Sequence, residues 1–392
     1  MVRTSRWLAL SRQTLKTVRC SWGIKSNAME MDSQVRLLKL HASSIETLRV
    51  WIVGDRAAQD AVSDLLTRLS TSTSLHTLDL NGPRDGSSAA LQLRGDEILF
   101  PILHNLLLNR LAVQWSWRTR HLRVLVLDRP GSEPTWNQLS AILLSSPNLK
   151  ALCLRNTEPR NQEEFVSWSD TLNRPVLLDN LERLEVWNIP MESISILFAI
   201  LHARALSELL VKSTSRLPDL VPVIALSAST LTHLRLGFVS STDPELLRAL
   251  QIPLLRLCIL ALFGPSSFSP ANDSMLEAII HYRELRFLDL SRMDMKAEQF
   301  TRIVRCREEM GECQAIKEVV VHGSVGPGWD VKPGPFKQGA GVHAPNEVAG
   351  VERGGDGYIY LELYMVQVIL AIFLLFYPFA PNCYDHDLSC QA

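Results

Sequence analysis

Ten side chains of the kind that recognise a partner stand at odd positions of a recurring leucine phrase. They are Trp51, Asp79, Asp128, Arg155, Arg183, Glu185, Trp187, Arg235, Phe263 and Asp289. Aromatics beside arginines concentrate binding energy at protein interfaces, because each buries a large area or donates several hydrogen bonds. Bond-making chemistry has no comparable signal. The chain carries no glycine-rich phosphate loop, no His-Glu-x-x-His helix and no Gly-x-Ser-x-Gly elbow. Gly323-Ser324-Val325-Gly326 has the wrong spacing for an elbow, and Asp385-His386-Asp387 reads as solvated tail rather than as a metal site. The ten histidines are dispersed, His76 and His233 in strand phrases and His202 and His281 in helical stretches. No catalytic residue, metal or cofactor is expected, and the protein reads as a binder rather than an enzyme.

The elements that must position these side chains follow from the leucines themselves. The phrase Leu-x-x-Leu-x-Leu, or a close variant, begins at Leu75, Leu122, Leu149, Leu181, Leu206, Leu231, Leu257 and Leu285, with weaker copies at Ile45 and Ile316. From Leu122 to Leu285 the successive starts are 27, 32, 25, 25, 26 and 28 residues apart. Repeats of roughly 20–50 residues are the signature of stacked solenoids. A period in this range holds a short strand and a helix, and helical apolar spacing recurs over 57–69, 136–144, 163–172, 191–202, 244–250, 275–282 and 297–307. Strand side chains alternate, so positions 4 and 6 of the phrase point into the core and positions 3, 5 and 7 point away from it. The expected fold is α/β, a leucine-rich-repeat horseshoe with an inner parallel sheet and outer helices over 35–322. Between Leu80 and Leu122 the spacing fails, and that stretch reads as a loop (81–88), a helix (96–108) and a degenerate strand at Leu111-Ala112-Val113.

Both ends differ in character. Residues 1–34 open with Arg3, Arg6, Arg12, Lys16, Arg19 and Lys25 and no acid before Glu30, a pattern shared with mitochondrial transit peptides. Residues 323–357 are rich in glycine and proline and read as a flexible linker. Residues 358–380 are strongly apolar, and from Leu363 to Ala380 carry no charge. Three readings of this segment stand open: a transmembrane tail anchor, a helix packed on the end of the array, or a misassigned gene terminus. Residues 381–392 read as a disordered tail.

Composition narrows the function class. Lys+Arg 40 against Asp+Glu 41 leaves a net charge of −1, so no global field favours nucleic acid. The seven cysteines are scattered and never form a Cys-x-x-Cys pair, which suits a reducing compartment. The expected setting is cytoplasmic or nuclear, with membrane anchoring through the C-terminus as the alternative.

Ser5-Arg6-Trp7-Leu8-Ala9-Leu10 is similar to the closing half of an F-box, where a basic residue and a tryptophan precede a short apolar helix. With the irregular repeats that follow, the chain resembles the divergent, fungal-type F-box/leucine-rich-repeat proteins, with the F-box truncated or absent. The resemblance implies a substrate receptor of a cullin-RING ubiquitin ligase, whose repeats hold an unknown protein while the F-box docks on the ligase adaptor. The other reading is a tail-anchored repeat protein that recruits a partner to a membrane.

Overall fold

The computed structural model describes residues 17–23, 28–53, 56–70, 74–82, 98–111, 113, 117–160, 175–213, 216–237, 239–264, 269–290, 293–311, 313–320 and 341–342. The expected linker (apart from 341–342), the apolar segment 358–380, the F-box-like residues 5–10 and the expected helix at 163–172 lie outside them. No described helix is long and apolar enough to cross a membrane.

The chain is α/β, built on one thirteen-stranded parallel sheet in which every strand pairs with its neighbours in sequence order. The strands are β1 (Thr17–Gly23), β2 (Thr47–Val53), β3 (Thr77–Asn81), β4 (Asn105–Asn109), β5 (Val124–Asp128), β6 (Ala151–Arg155), β7 (Arg183–Ile189), β8 (Glu208–Ser213), β9 (His233–Gly237), β10 (Ile259–Phe263), β11 (Phe287–Asp289), β12 (Glu318–Val320) and β13 (Gly341–Val342). Register follows the leucine phrase: Leu78 pairs with Leu106, Leu106 with Leu125, Leu125 with Leu152 and Leu152 with Leu184. Two consecutive amides at the start of each strand from β3 to β11 donate to one carbonyl at the start of the strand before, as His76 and Thr77 do to Glu46 and Arg286 and Phe287 do to Cys258. The same fork recurs from Glu46 to Cys258 and locks each repeat onto the last.

Side-chain alternation sets the layers. In β3, β4 and β5 the second and fourth residues are buried and the other three half-exposed. The buried leucines form one core with apolar residues of the helices α1 (Ala28–Leu40), α2 (Arg56–Leu69), α3 (Trp136–Leu144), α4 (Met191–Ile200), α5 (Val221–Leu226), α6 (Pro244–Leu250), α7 (Asp273–Ile280) and α8 (Ala297–Met310). Helix starts are chemically marked. The Thr135 hydroxyl accepts from the Gln138 amide at 3.2 Å while Gln138 Oε1 accepts from the Thr135 amide at 2.8 Å, a reciprocal cap. Asp243 and Asn272 cap α6 and α7 by accepting from the Glu245 and Ser274 amides, and Pro244 opens α6 without a wasted donor.

Each strand must also end. Arg110, Arg129, Asn156 and Asn188, the eighth residues of four successive phrases, have φ of 54, 49, 48 and 52°. This left-handed turn is rare outside glycine. It aims the amides of Arg110, Arg129 and Asn156 at carbonyls of Asp128, Arg155 and Trp187 on the next strand.

The stretch between Leu80 and Leu122 departs from expectation. Residues 105–109 are strand, not helix, and Val113 makes only an isolated bridge. Leu103-x-x-Leu106-x-Leu108 is a full phrase, dividing the irregular interval into repeats of 28 and 19 residues. Its apolar residues at 103, 106 and 107 fit helical spacing as well as strand alternation, and pairing with β3 and β5 decides between them. The sheet also reaches beyond the expected span of 35–322, with β1 on β2 at one edge and β13 on β12 at the other. Val18 and Cys20 of β1 pack on the core at phrase positions 4 and 6. Helices α1 and α5 were not expected from apolar spacing.

Candidate functional site

The sheet face opposite the helices carries nine of the ten sequence-selected residues on seven of its strands, with Asp289 on β11 as the tenth. They do not form one uniform surface. The structure gathers them into a charged centre on β6–β9 with apolar side chains on either flank.

The centre is built around Glu185 at position 5 of the β7 phrase. Expected to face solvent, it is instead fully buried, with Cys153 and Arg155 of β6 and Arg183 of its own strand closing over it. Arg155 Nε of β6 donates to Glu185 Oε1 at 2.5 Å, Arg183 Nη2 donates to Oε2 at 3.1 Å, and the Cys153 thiol lies 3.6 Å from Oε2. Arg183 also reaches Glu208 of β8 at 3.4 Å. Burial alone would raise the Glu185 carboxyl, but the hydrogen bonds and charges of Arg155 and Arg183 outweigh it and hold it below its ordinary value. Burial, reinforced by the Glu185 charge, pushes the Cys153 thiol up to about 12, so it is an inert small side chain and not a nucleophile. Glu185 is thus committed to intramolecular ion pairs and does not face solvent.

Trp187 follows on the same strand. The Lys212 ammonium of β8 lies 4.1 Å from its ring centre, a cation–π contact. Gly237 makes this possible on β9: a Cβ there would lie 2.8 Å from Lys212 Cγ, so any larger residue would push the lysine stem away. Arg235 stands two residues earlier on β9, between Leu210 and Ala261 in register. It has no carboxylate partner among the described residues. His233, beside it, donates or accepts at Thr232 Oγ1 over 2.8 Å; burial lowers its pKa, Glu208 opposes, and Arg235 and Arg183 lower it further.

The remaining residues frame this centre. Trp51 is the most exposed aromatic of the set, 36% accessible as the fifth residue of β2. Asp79 accepts from Asn81 at 2.8 Å and lies 3.7 Å from Arg49. Asp128 accepts from Asn156 at 3.1 Å, and Asn188 donates on to Asn156 Oδ1 at 3.1 Å, a side-chain chain linking three repeats. Phe263 is half-exposed at the end of β10, in register with Gly237, while Ile259 at the start of that strand is in register with Phe287. Asp289, expected on the open face, is buried at 8% accessibility. Lys212, Glu208 and His233 belong to the centre although their types alone did not single them out; their positions in the phrase are the signal.

Among the described residues, no three His, Cys, Asp or Glu side chains are arranged to hold a metal ion. His76 and His104 stack with ring centres 5.0 Å apart at the opposite end of their strands. A groove of about 490 Å³ lies between α6 and α7 and is lined by Leu255, Glu277, His281 and Arg283 among others. It contains no pairing of nucleophile and base. No family model matches the chain, and none of the curated proteins matches it.

Proposed function

We propose that this chain is a protein-interaction module of the leucine-rich-repeat horseshoe type, which docks an unidentified protein on the exposed face of its sheet. One observation carries the reading: the helices cover one face, while the other presents half-exposed Trp51, Trp187, Arg235, Phe263 and Phe287 over a rigid hydrogen-bonded scaffold. Rigid aromatic and arginine anchors suit hot-spot recognition. A fixed sheet keeps the ordering cost of binding small. The module is non-enzymatic in this reading. Trp51→Ala with Trp187→Ala is expected to weaken partner capture with little change in melting temperature; capture unaffected by both would reject the face.

The resemblance to F-box/leucine-rich-repeat proteins extends the proposal to a substrate receptor of a cullin-RING ubiquitin ligase. Co-purification with the ligase adaptor tests that extension, and absence of adaptor binding leaves a free-standing repeat module. The uncharged run from Leu363 to Ala380 favours a second reading, a tail anchor holding the module at a membrane. Release of the full chain into the soluble fraction on carbonate extraction rejects it.

A further inference from the structure

We infer that the β6–β11 part of the open sheet face recognises an acidic polypeptide segment that carries an apolar side chain next to its carboxylates. The inference rests on the docking reading above and deepens it by naming the chemistry of the partner. On β6–β11 the face carries Arg155, Arg183, Lys212 and Arg235 against the buried Asp289 and the carboxylates of Glu185 and Glu208, a surplus of one positive charge. The two glutamates are already engaged by Arg155 and Arg183. Arg235 is left half-buried between Leu210 and Ala261, with no carboxylate paired to it among the described residues. A half-desolvated cation of this kind gains most from a carboxylate brought by a partner, since its own desolvation is already in place.

The apolar half of the specificity lies one strand away. Ile259 pairs with His233 and Phe263 with Gly237, and Phe287 pairs with Ile259. With strands roughly 4.8 Å apart, a chain crossing β9 to β11 spans about three residues between Arg235 and Phe287. A carboxylate on Arg235 therefore sets an apolar neighbour down on Ile259 and Phe287. These flanking apolar side chains, and a whole-chain charge of −1, favour a polypeptide over nucleic acid, which would need cations continued along a backbone track.

The test uses the full chain and a fluorescein-labelled peptide with glutamates on both sides of a leucine–phenylalanine pair, read by anisotropy. The acidic peptide is expected to bind and to weaken with added salt. Its lysine counterpart is expected not to bind. Arg235→Glu is expected to weaken binding by at least about tenfold with an unchanged melting temperature. Arg235→Gln gives a milder loss and guards against a folding defect in the first variant. No binding of the acidic peptide, equal binding of the lysine version, unchanged affinity in both Arg235 variants, or tighter binding of a single-stranded oligonucleotide would each overturn the inference. A parallel capture of cellular partners separates this from the docking reading. Partners lost with Phe287→Asp but kept with Arg235→Glu leave the face intact and sink the acidic recognition. Partners kept with both sink the face itself.

Discussion

The Lys212 ammonium rests on the Trp187 ring because Gly237, on the next strand, has no side chain to obstruct the lysine stem. Three residues on three adjacent strands thus settle one local conformation. Gly237→Ala should lift Lys212 from the ring. The cation–π contact is worth about 0.5–1 kcal/mol, so stability should change by no more than that. Trp187 emission, isolated by subtracting the spectrum of Trp187→Phe, should shift in Gly237→Ala and in Lys212→Met alike. An identical difference spectrum in Gly237→Ala would mean that the glycine does not govern the lysine.

Glu185 is buried and depends on Arg155 and Arg183 for its charge. Arg155→Ala should cost roughly 3 kcal/mol, because one buried carboxylate loses half of its compensation. Adding Glu185→Gln should recover part of that loss, since no uncompensated charge remains. Chemical denaturation of the two variants decides it, and a double variant less stable than Arg155→Ala alone would contradict the pairing. The carboxyl is held below its ordinary 4.5, so its stabilising contribution is present above that pH and lost as pH falls through the folded value. Glu185→Gln should lack this acid-limb loss.

Glu133 titrates in the opposite sense. Burial raises its carboxyl from 4.5 to about 7, against the Glu158 amide that donates to it and the nearby Arg160. The folded state then holds a proton that the unfolded chain has released. Its contribution is fully present below 4.5 and is lost as pH rises through about 7. Melting temperature should fall across that window more steeply in the wild type than in Glu133→Gln. Parallel profiles for the two would remove Glu133 from the titration.

Arg307 of α8 is 4% accessible, yet no carboxylate pairs with it among the described residues. Its guanidinium donates to the carbonyls of Ile280, Tyr282, Arg283, Leu285 and Gln314 at 2.7–3.4 Å, gathering the end of α7 and the approach to β11 around one cation. Carbonyls at a helix C-terminus carry partial negative charge, which is why this burial is tolerated. Arg307→Ala should destabilise by about 2–4 kcal/mol, leaving several acceptors unmet. Lysine should rescue only partly, because an ammonium cannot reproduce the planar fork. A full rescue would show that charge alone matters.

Leu106 and Leu184 occupy the same phrase position, and both are almost wholly buried. Alanine at either should cost about 2–5 kcal/mol. A negligible cost at Leu106 would argue against strand β4.

Comparison of these positions explains what the sequence disclosed. Repeats written in leucine, such as Leu181-x-x-Leu184-x-Val186, announce their strands because the alternation has no rival reading. Leu103–Leu108 had a rival, since its spacing suits a helix equally, and only pairing with both neighbours separates the two. β1 escaped notice because Val18 and Cys20 stand where leucines usually do. At the candidate site, alternation gave the face of each side chain correctly but not its depth. Glu185 and Asp289 are both buried there, and for Glu185 the cause is that Cys153, Arg155 and Arg183 close over it.

The 19-residue repeat between Leu103 and Leu122 has a further consequence. Strands β4 and β5 meet there with no helix among the described residues of that interval, only the short pairing of Ile98–Leu99 with Trp117–Arg118 behind them. In a stack where each repeat touches only its neighbours, stability is a sum of local terms and the thinnest joint yields first. Under force or denaturant the chain should part at this joint, melting as two blocks with separate transitions, while the block that contains Glu185 and Arg235 keeps its shape.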